Sequence, residues 1–418
     1  MAAIGLRRLR WVLVFAALVQ PLAADLVTRI PRHAHTTETI MPETASDAGL
    51  QAWIAGFRSR ALSEGITAQT FDAAMTGVAF LPLVLDRDLH QNEFTKTIWD
   101  YLDKAVSDDR IAAGQKALVK YRPLLHRIEA QYGVDAQIVV AIWGLESAYG
   151  QVRGDISTVG ALATLAYASG RSGFFEGQLI AALRILQTGD VTPARMQGSW
   201  AGAMGHTQFM PTSYLDLAVD FDGDGRRDIW GDDPGDALAS TAAFLARWGW
   251  HKGQPWGVEV LLPVGFDYAM AGEKVHKSGA EWAALGVKSA TDAPLPDAGP
   301  ASVLLPGGAR GAAFLIFPNF HVLEHYNTAD AYVIAVGHLG DRILGGPAIQ
   351  AAWPRDLRAL TFDERVELQT RLTSAGFNAG GADGRTGPMT ISAIRAFQAS
   401  VGVVPDGFPS LDVLTRLR

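Results

Sequence analysis

The stretch Ala141-Ile-Trp-Gly-Leu-Glu-Ser-Ala-Tyr-Gly150 places one carboxylate, Glu146, in a segment that otherwise has the composition of a buried helix. Apolar residues recur at helical spacing along one face of it: Ile138, Ile142, Leu145 and Tyr149. Asp135 is a suitable residue to cap the start of this helix, and Gly150 is suitable to end it. We therefore predict a buried helix that carries Glu146 beside Trp143, one turn earlier on an adjacent stripe.

A carboxylate that faces a protein core is costly when it is charged and unpaired. It can be structural, at the rim of the core and bonded to a backbone group or an arginine. It can also stay protonated near neutral pH, which is what the acid that cleaves a glycosidic bond requires. This segment by itself leaves both interpretations of Glu146 open.

The composition excludes several classes of protein. A chain of 418 residues with 48% hydrophobic and 19% charged residues is typical of a globular protein with two or three domains. A net charge of -7 argues against nucleic acid as the main partner. The sequence contains no cysteine, which excludes disulfides, thiol catalysis, thiolate zinc sites and a lipidated cysteine.

The N-terminus has the order of a secretory signal. Three arginines within residues 7–10 precede an apolar run over residues 11–19, and small residues follow up to Ala24. The alternative, a membrane anchor, is disfavoured because the run is too short to span a bilayer. We predict a signal peptide over residues 1–24, a flexible leader over 25–44, export to the periplasm and no membrane-integral segment afterwards.

The rest of the chain divides by its patterns. Residues 45–344 are mainly helical in periodicity, including the stretches 94–105 and 112–132. They are interrupted at about 256–317 by strand-like sequence, with a hairpin expected around Gly307-Gly308. Glycine and proline then mark a linker.

The C-terminal part reads as a separate small unit. We place the linker at residues 345–356 and the unit at residues 357–418, where three short helical patterns are separated by two Asp-Gly turns. Its functional interpretation depends on the resemblance given below.

The segment Gly198-Ser-Trp-Ala-Gly-Ala-Met-Gly-His-Thr-Gln-Phe-Met-Pro-Thr-Ser-Tyr214 is the second informative stretch. Its small residues allow close backbone packing, which is the expected role of Gly202 and Gly205. The amide of Gln208 can both donate to and accept from a ligand. His206 is expected to be structural or to lie at the rim of a site.

The spacing in Asp220-Phe-Asp-Gly-Asp-Gly-Arg-Arg-Asp228 is that of the first part of an EF-hand loop. Asp220, Asp222 and Asp224 hold positions one, three and five, and the carbonyl of Arg226 holds position seven. Closely spaced carboxylates repel one another, so a hard cation is the simplest explanation. Position twelve is a glycine rather than the usual glutamate, and an acidic turn without metal is the alternative.

Several motifs follow one another in order along the chain: Glu146-Ser-Ala-Tyr-Gly, Gly198-Ser-Trp-Ala-Gly-Ala-Met-Gly, Gln208-Phe-Met-Pro, Pro318-Asn-Phe, Tyr326-Asn327 and Tyr332. Through these motifs, residues from about Asp47 to Leu344 resemble the membrane-bound lytic murein transglycosylase B family. Because no cysteine is present to carry a lipid anchor, the chain resembles the soluble branch. The resemblance implies a mainly α (α+β) fold, with a lysozyme-like catalytic domain and a small β-rich insertion.

The resemblance also implies an activity, namely cleavage of the bond between N-acetylmuramic acid and N-acetylglucosamine in peptidoglycan without water. A 1,6-anhydro sugar is the implied product, and Glu146 is the implied single acid/base. The implied sugar-binding residues are Ser199, Gln208, Tyr326, Asn327 and Tyr332. Two alternatives are a muramidase of the same fold that uses water and a non-catalytic protein that recognises glycan strands.

For the acidic loop, the family's closing carboxylate comes later in the chain, and Asp236 is our choice over Asp232 and Asp233. We expect a structural calcium ion there and no organic cofactor.

The C-terminal unit resembles the three-helix peptidoglycan-binding domain. The supporting residues are Leu368-Gln, Gly376-Phe, Asp383-Gly-Arg-Thr-Gly-Pro-Met-Thr and Ile394-Arg-Ala-Phe-Gln. Binding of cell-wall material is the implied role, and a generic helical bundle is the alternative. Protein partners and oligomeric state do not follow from the sequence.

Overall fold

A computed structural model describes residues 45–90, 96–291 and 293–418. The predicted signal peptide and leader lie outside these described residues. Among the helices that the structure describes, none combines the length and the apolar character needed to cross a bilayer.

The part of the chain before the insertion is mainly helical. Its helices are α1 (Asp47–Ser63), α2 (Ala68–Met75), α3 (Pro82–His90), α4 (Ile98–Ala105), α5 (Asp108–Lys120), α6 (Arg122–Tyr132), α7 (Ala136–Ser147), α8 (Thr158–Ala168), α9 (Ser172–Thr188), α10 (Pro211–Leu217) and α11 (Gly235–Arg247). Two short strands, β1 (Ile156–Ser157) and β2 (Gln197–Gly198), pair antiparallel. The central helix is α7, which is buried around nearly its whole circumference.

The insertion is a small antiparallel sheet. Its strands are β3 (Gly257–Leu261), β4 (Lys288–Ser289), β5 (Ser302–Leu304) and β6 (Ala313–Ile316), in the order β4-β3-β6-β5. The helix α12 (Gly279–Ala284) covers it and contributes the fully buried Trp282. Strands β5 and β6 form the expected hairpin, with Ser302 opposite Ile316. The prediction of a mainly helical fold with few, small sheets is confirmed.

Two helices after the insertion complete the helical core. The helix α13 (Pro318–Tyr326) leads into α14 (Asp330–Ile343), which packs against α7, α4 and α5. This return places residues of α14 beside Glu146, nearly two hundred residues earlier in the chain.

The C-terminal helices are α15 (Phe362–Ser374), α16 (Pro388–Ser400) and α17 (Leu411–Leu417). They enclose a core of their own, formed by Leu360, Leu368, Leu372, Ala379, Ala393, Ile394, Phe397, Val413 and Leu414. A capping box of Thr361 and Glu364 fixes the start of α15.

The segment predicted to be a linker is held by specific contacts on the catalytic region. Trp353 packs on Trp99 of α4 with ring centroids 6.1 Å apart. Arg355 forms a two-pronged ion pair with Asp103, at 2.8 and 2.9 Å. The C-terminal unit also contacts the insertion, because Asp406 accepts a hydrogen bond of 2.9 Å from the amide of Ala309.

The structure differs from the sequence prediction at three helix ends. The predicted helix over residues 112–132 is divided at Tyr121, and Pro123 falls in the first turn of α6, where its missing N–H needs no partner. Asp135 is the cap residue of α7, but its side chain makes no capping bond and instead accepts from the indole of Trp250 at 2.8 Å. The helix α7 ends at Ser147 rather than near Gly150.

Candidate active site

Glu146 lies in the last turn of α7, and 7% of its surface is exposed. The hydroxyl of Tyr332, from α14, donates a hydrogen bond of 2.5 Å to Oε1. Among the described residues, Oε2 has no hydrogen-bond partner. One oxygen is therefore fixed by a donor, and the other is free to carry a proton.

Burial controls the protonation of Glu146. Removal of the carboxyl from water raises its pKa to about 8, because the charged form loses its hydration. The hydrogen bond from Tyr332 opposes this shift, since it favours the carboxylate. Glu146 is therefore mainly protonated at neutral pH.

Three tyrosines lie near Glu146. Burial, and then the charge of Glu146, raises the pKa of Tyr101, Tyr326 and Tyr332. The hydroxyl of Tyr326 donates to the carbonyl of Thr207 at 2.6 Å. Sequence reasoning missed Tyr101, which lies half-buried on α4. Its only signal is a tyrosine within a short amphipathic helix, which does not distinguish it from a core aromatic residue.

The backbone directly after Glu146 is strained. Ala148 and Tyr149 have φ values of 50° and 60°, in the left-handed region that side chains other than glycine rarely adopt. Gly150 continues the turn at 83°, and a Cβ there would lie 2.5 Å from Nδ1 of His206. The hydroxyl of Tyr149 donates to the carbonyl of Arg110 at 2.7 Å, which helps to hold the turn.

His206 joins the catalytic helix to the glycine-rich segment. Its Nδ1 accepts a hydrogen bond of 3.1 Å from the indole of Trp143. Nε2 therefore carries the proton and donates to the carbonyl of Gly231 at 2.8 Å. Ser147 Oγ donates to the carbonyl of His206 at 2.5 Å. These contacts give His206 a structural position, the first of its two predicted roles.

Four of the predicted sugar-binding residues form hydrogen bonds with the backbone rather than with Glu146, and Tyr326, described above, is one of them. Ser199 Oγ accepts from the amide of Ala203 at 3.1 Å, and Asn327 Oδ1 accepts from the amide of Ala329 at 3.0 Å.

Gln208 has a φ of 53° and donates through Nε2 to the carbonyls of Arg153 and Gly205 at 3.0 and 2.8 Å. Of the five predicted residues, the structure places Tyr332 on the carboxyl and Tyr326 within reach of its charge. The roles of all five in binding sugar stay predictions.

The acidic loop gathers its carboxylates as the spacing predicts. Oxygens of Asp220, Asp222 and Asp224 lie within 4.8 Å of one another on the surface. Asp220 also accepts from the amides of Gly223 and Gly225 at 2.7 and 2.9 Å, as a tight turn requires.

Asp236, at the start of α11, is buried against this loop. It accepts from the amides of Phe221 and Asp228, both at 2.8 Å. Burial raises the pKa of its carboxyl to about 6, and the charges of Asp222 and Asp220 add to the shift. This mutual repulsion is what a divalent cation relieves, so the donor set fits calcium.

The two competitors of Asp236 have other partners. Asp232 lies 3.4 Å from the guanidinium of Arg153, and Asp233 accepts from the amide of Gly235 at 2.8 Å. Asp236 also has partners, since each of its carboxylate oxygens accepts from a backbone amide, and its choice as the closing ligand stays a prediction. Within the acidic loop itself, the carboxylate of Asp224 accepts a hydrogen bond of 2.8 Å from the amide of Arg226, so these two predicted ligand residues are in contact.

The chain matches the models of two protein families. The family model of the transglycosylase SLT domain matches residues 49–341, which is more than half of the chain. The chain belongs to this family. A model of a peptidoglycan-binding domain matches residues 363–417. The predicted family and the C-terminal domain are confirmed.

Several relatives of this transglycosylase are known. The Escherichia coli protein named membrane-bound lytic murein transglycosylase B is 35% identical over 250 residues, which span 58% of this chain and 66% of that relative. SltB3 from Pseudomonas aeruginosa, in a crystal structure with NAG-NAM-pentapeptide, is 49% identical, with a TM-score of 0.86 over 88% of this chain and 99% of that one. These similarities confirm the lysozyme-like transglycosylase fold.

A third relative bears on the acidic loop. The Escherichia coli lytic transglycosylase Slt35 in complex with calcium is 31% identical, with a TM-score of 0.60 over 72% of this chain and 94% of that one.

Proposed function

We propose that the protein is a lytic transglycosylase that cleaves the β-1,4 bond between N-acetylmuramic acid and N-acetylglucosamine in peptidoglycan. The observation that carries this proposal is the buried Glu146, protonated at neutral pH and with Oε2 free of partners. The membership of the transglycosylase SLT family supports it. So does a relative, 48% identical, whose crystal structure holds NAG-anhNAM-pentapeptide.

In the first step, Glu146 donates its proton to the glycosidic oxygen, and the bond from that oxygen to the anomeric carbon of the muramyl residue breaks. The leaving glucosamine takes the proton as a hydroxyl. Positive charge develops at the sugar ring, while Glu146 becomes a carboxylate that the hydroxyl of Tyr332 stabilises.

In the second step, the carboxylate of Glu146 removes the proton of the muramyl 6-hydroxyl, and that oxygen bonds to the anomeric carbon. The product is the 1,6-anhydro sugar, and Glu146 is protonated again. Ordinary glycosidases need a second carboxylate for water or for a covalent intermediate. An intramolecular hydroxyl removes that need.

The remaining predicted residues are assigned to binding. Ser199, Gln208, Tyr326 and Asn327 line the sugar cleft in this proposal.

The acidic loop is assigned to structural calcium. Asp220, Asp222, Asp224, the carbonyl of Arg226 and Asp236 would hold the ion, and no catalytic step passes through it. The calcium complex of the 31% identical relative supports this assignment.

The C-terminal domain would tether the enzyme to peptidoglycan and raise the local concentration of substrate. Such a substrate requires export, so we propose that residues 1–24 direct the protein to the periplasm.

The experiment that tests this function is digestion of purified peptidoglycan in water labelled with heavy oxygen, followed by mass analysis of the fragments. The proposal predicts muramyl ends that lack the label and are lighter than hydrolysed ends by one water. Labelled reducing ends would show a muramidase instead. No fragments from folded protein would favour a non-catalytic glycan-binding protein.

A further inference from the structure

A second group of metal-ligating side chains lies where the insertion meets the helical core. Oxygen and nitrogen atoms of Glu273, His321 and Glu324 lie within 4.8 Å of one another, and all three residues are partly buried. We refer to these three residues as the junction cluster.

The junction cluster joins separate elements. Glu273 belongs to the insertion, where the preceding Gly272 is bonded to the carbonyl of Val303 of β5 at 2.8 Å. His321 and Glu324 lie one turn apart on α13, so their side chains share a face. The cluster is therefore a contact between the insertion and α13, the helix that leads into α14.

Two carboxylates and one imidazole meet in this contact. Nδ1 of His321 lies 2.7 Å from a carboxylate oxygen of Glu324. A carboxylate oxygen of Glu273, from the other side of the contact, lies within 4.8 Å of ligand atoms of both. Two carboxylates this close together repel one another when both are charged, and a cation held between them removes that repulsion.

The mixed donor set selects a class of metal. An imidazole nitrogen with carboxylate oxygens suits zinc and other first-row transition ions, whereas calcium and magnesium take oxygen donors alone. Bonds of about 2.0–2.2 Å in a tetrahedral zinc site place ligand atoms about 3.3 Å apart. The ligand atoms of Glu273, His321 and Glu324, all within 4.8 Å of one another, thus need to shift relative to one another by about 1.5 Å at most. Rotation of the side chains can supply a shift of that size.

We propose that Glu273, His321 and Glu324 bind one divalent first-row transition ion such as Zn²⁺. The ion fastens the insertion to α13, the helix that leads into α14. This site is separate from the acidic loop in both position and donor chemistry. Its role is structural, and it does not rest on the proposed catalytic mechanism.

The test is titration of the full-length, metal-stripped protein with Zn²⁺ in a buffer that contains excess Ca²⁺, read by calorimetry and by melting temperature. Calcium occupies all-oxygen sites and leaves the junction cluster to Zn²⁺. The proposal predicts one saturable equivalent of Zn²⁺ per chain and a rise in melting temperature. Absence of saturable binding would overturn it.

Two variants locate the ion. Substitution of residues that only hold metal ligands in place commonly weakens metal affinity by 10- to 100-fold. Glu273→Gln and His321→Gln change proposed ligands themselves, so each should raise the Kd for Zn²⁺ by at least about tenfold. His126→Gln, on the exposed face of α6, is the matched control and should bind as the parent does.

The melting temperature of each variant without added metal shows whether that variant is folded. If one variant fails to fold, the other still tests the proposal. Both variants should fold, because each substitution removes one charge at a partly exposed position and leaves a side chain of similar polarity there. Unchanged Zn²⁺ affinity in both variants would contradict the proposal.

Discussion

At the scale of the residue, Glu146 combines burial with a single donor. Its isolation in an apolar helix was visible in the sequence, which made it a candidate acid without deciding the matter. Its donor, Tyr332, lies 186 residues away, so no local pattern indicated the pair and only the family resemblance named both. Tyr101 carried neither signal and needed the structure.

The burial of Glu146 has a measurable effect on stability. The unfolded carboxyl loses its proton near the ordinary pKa of 4.5, whereas the folded one holds it to about 8. Between these values the unfolded state binds fewer protons, so stability falls as pH rises. Glu146→Gln has no proton to lose and should gain up to about 3 kcal/mol over the parent at pH 7. Chemical unfolding at pH 4 should show no such gain, and equal gains at both pH values would refute the burial effect.

The hydroxyl of Tyr332 should set the alkaline limit of activity. Tyr332→Phe removes the bond that favours the Glu146 carboxylate, so the pKa of Glu146 should rise further. In a pH-rate profile, the loss of activity at alkaline pH should then move to higher pH, with a lower maximal rate. Tyr149→Phe is the matched control, since that hydroxyl bonds to the carbonyl of Arg110 and should leave the limit in place. An unmoved limit in Tyr332→Phe would exclude this role.

At the scale of the element, periodicity predicted most helices because their apolar faces are buried. Periodicity did not predict the helix ends that are determined by a proline or by contacts with distant residues. Pro123 starts a new helix within the predicted 112–132 stretch, and Trp250 takes the carboxylate of Asp135 that local reasoning assigned to capping. The left-handed turn at Ala148 and Tyr149 was equally unpredictable, because neither residue favours that conformation.

The acidic loop gives the prediction for metal removal. If calcium binds there, it stabilises the folded state by about 2.7 kcal/mol at one hundred times its Kd. Asp222→Asn keeps an oxygen for the amide of Asp224 but removes one charge, so the calcium-dependent rise in melting temperature should largely disappear. Asp216→Asn, exposed on α10, should retain it. A parent protein whose melting is indifferent to chelation would rule out the ion.

At the scale of the whole molecule, the sequence separated the units but not their contacts. The stretch over residues 345–356 has the composition of a linker, yet Trp353 and Arg355 hold it to α4. Such contacts depend on partners hundreds of residues away, which explains why composition alone suggested a loose connection. The C-terminal domain is therefore held against the catalytic region rather than simply tethered to it.

Removal of residues 357–418 should separate binding from catalysis. The truncated enzyme should still cleave soluble glycan strands, because Glu146 and its neighbours belong to the catalytic region. Its binding to insoluble peptidoglycan in a sedimentation assay should weaken by at least about tenfold, since linked binding units add avidity. Full-length Glu146→Gln should sediment as the parent does. Undiminished sedimentation of the truncated enzyme would deny the domain its proposed role.

The central claim is that Glu146 alone supplies and recovers the proton in a reaction without water. The most direct measurement is mass analysis of the fragments that the parent protein and folded Glu146→Gln release from the same peptidoglycan. The account predicts 1,6-anhydromuramyl fragments from the parent, and at least about a hundredfold slower release by the variant, the lower range for loss of a general acid. Comparable release by the variant, or fragments with only reducing ends from the parent, would contradict it.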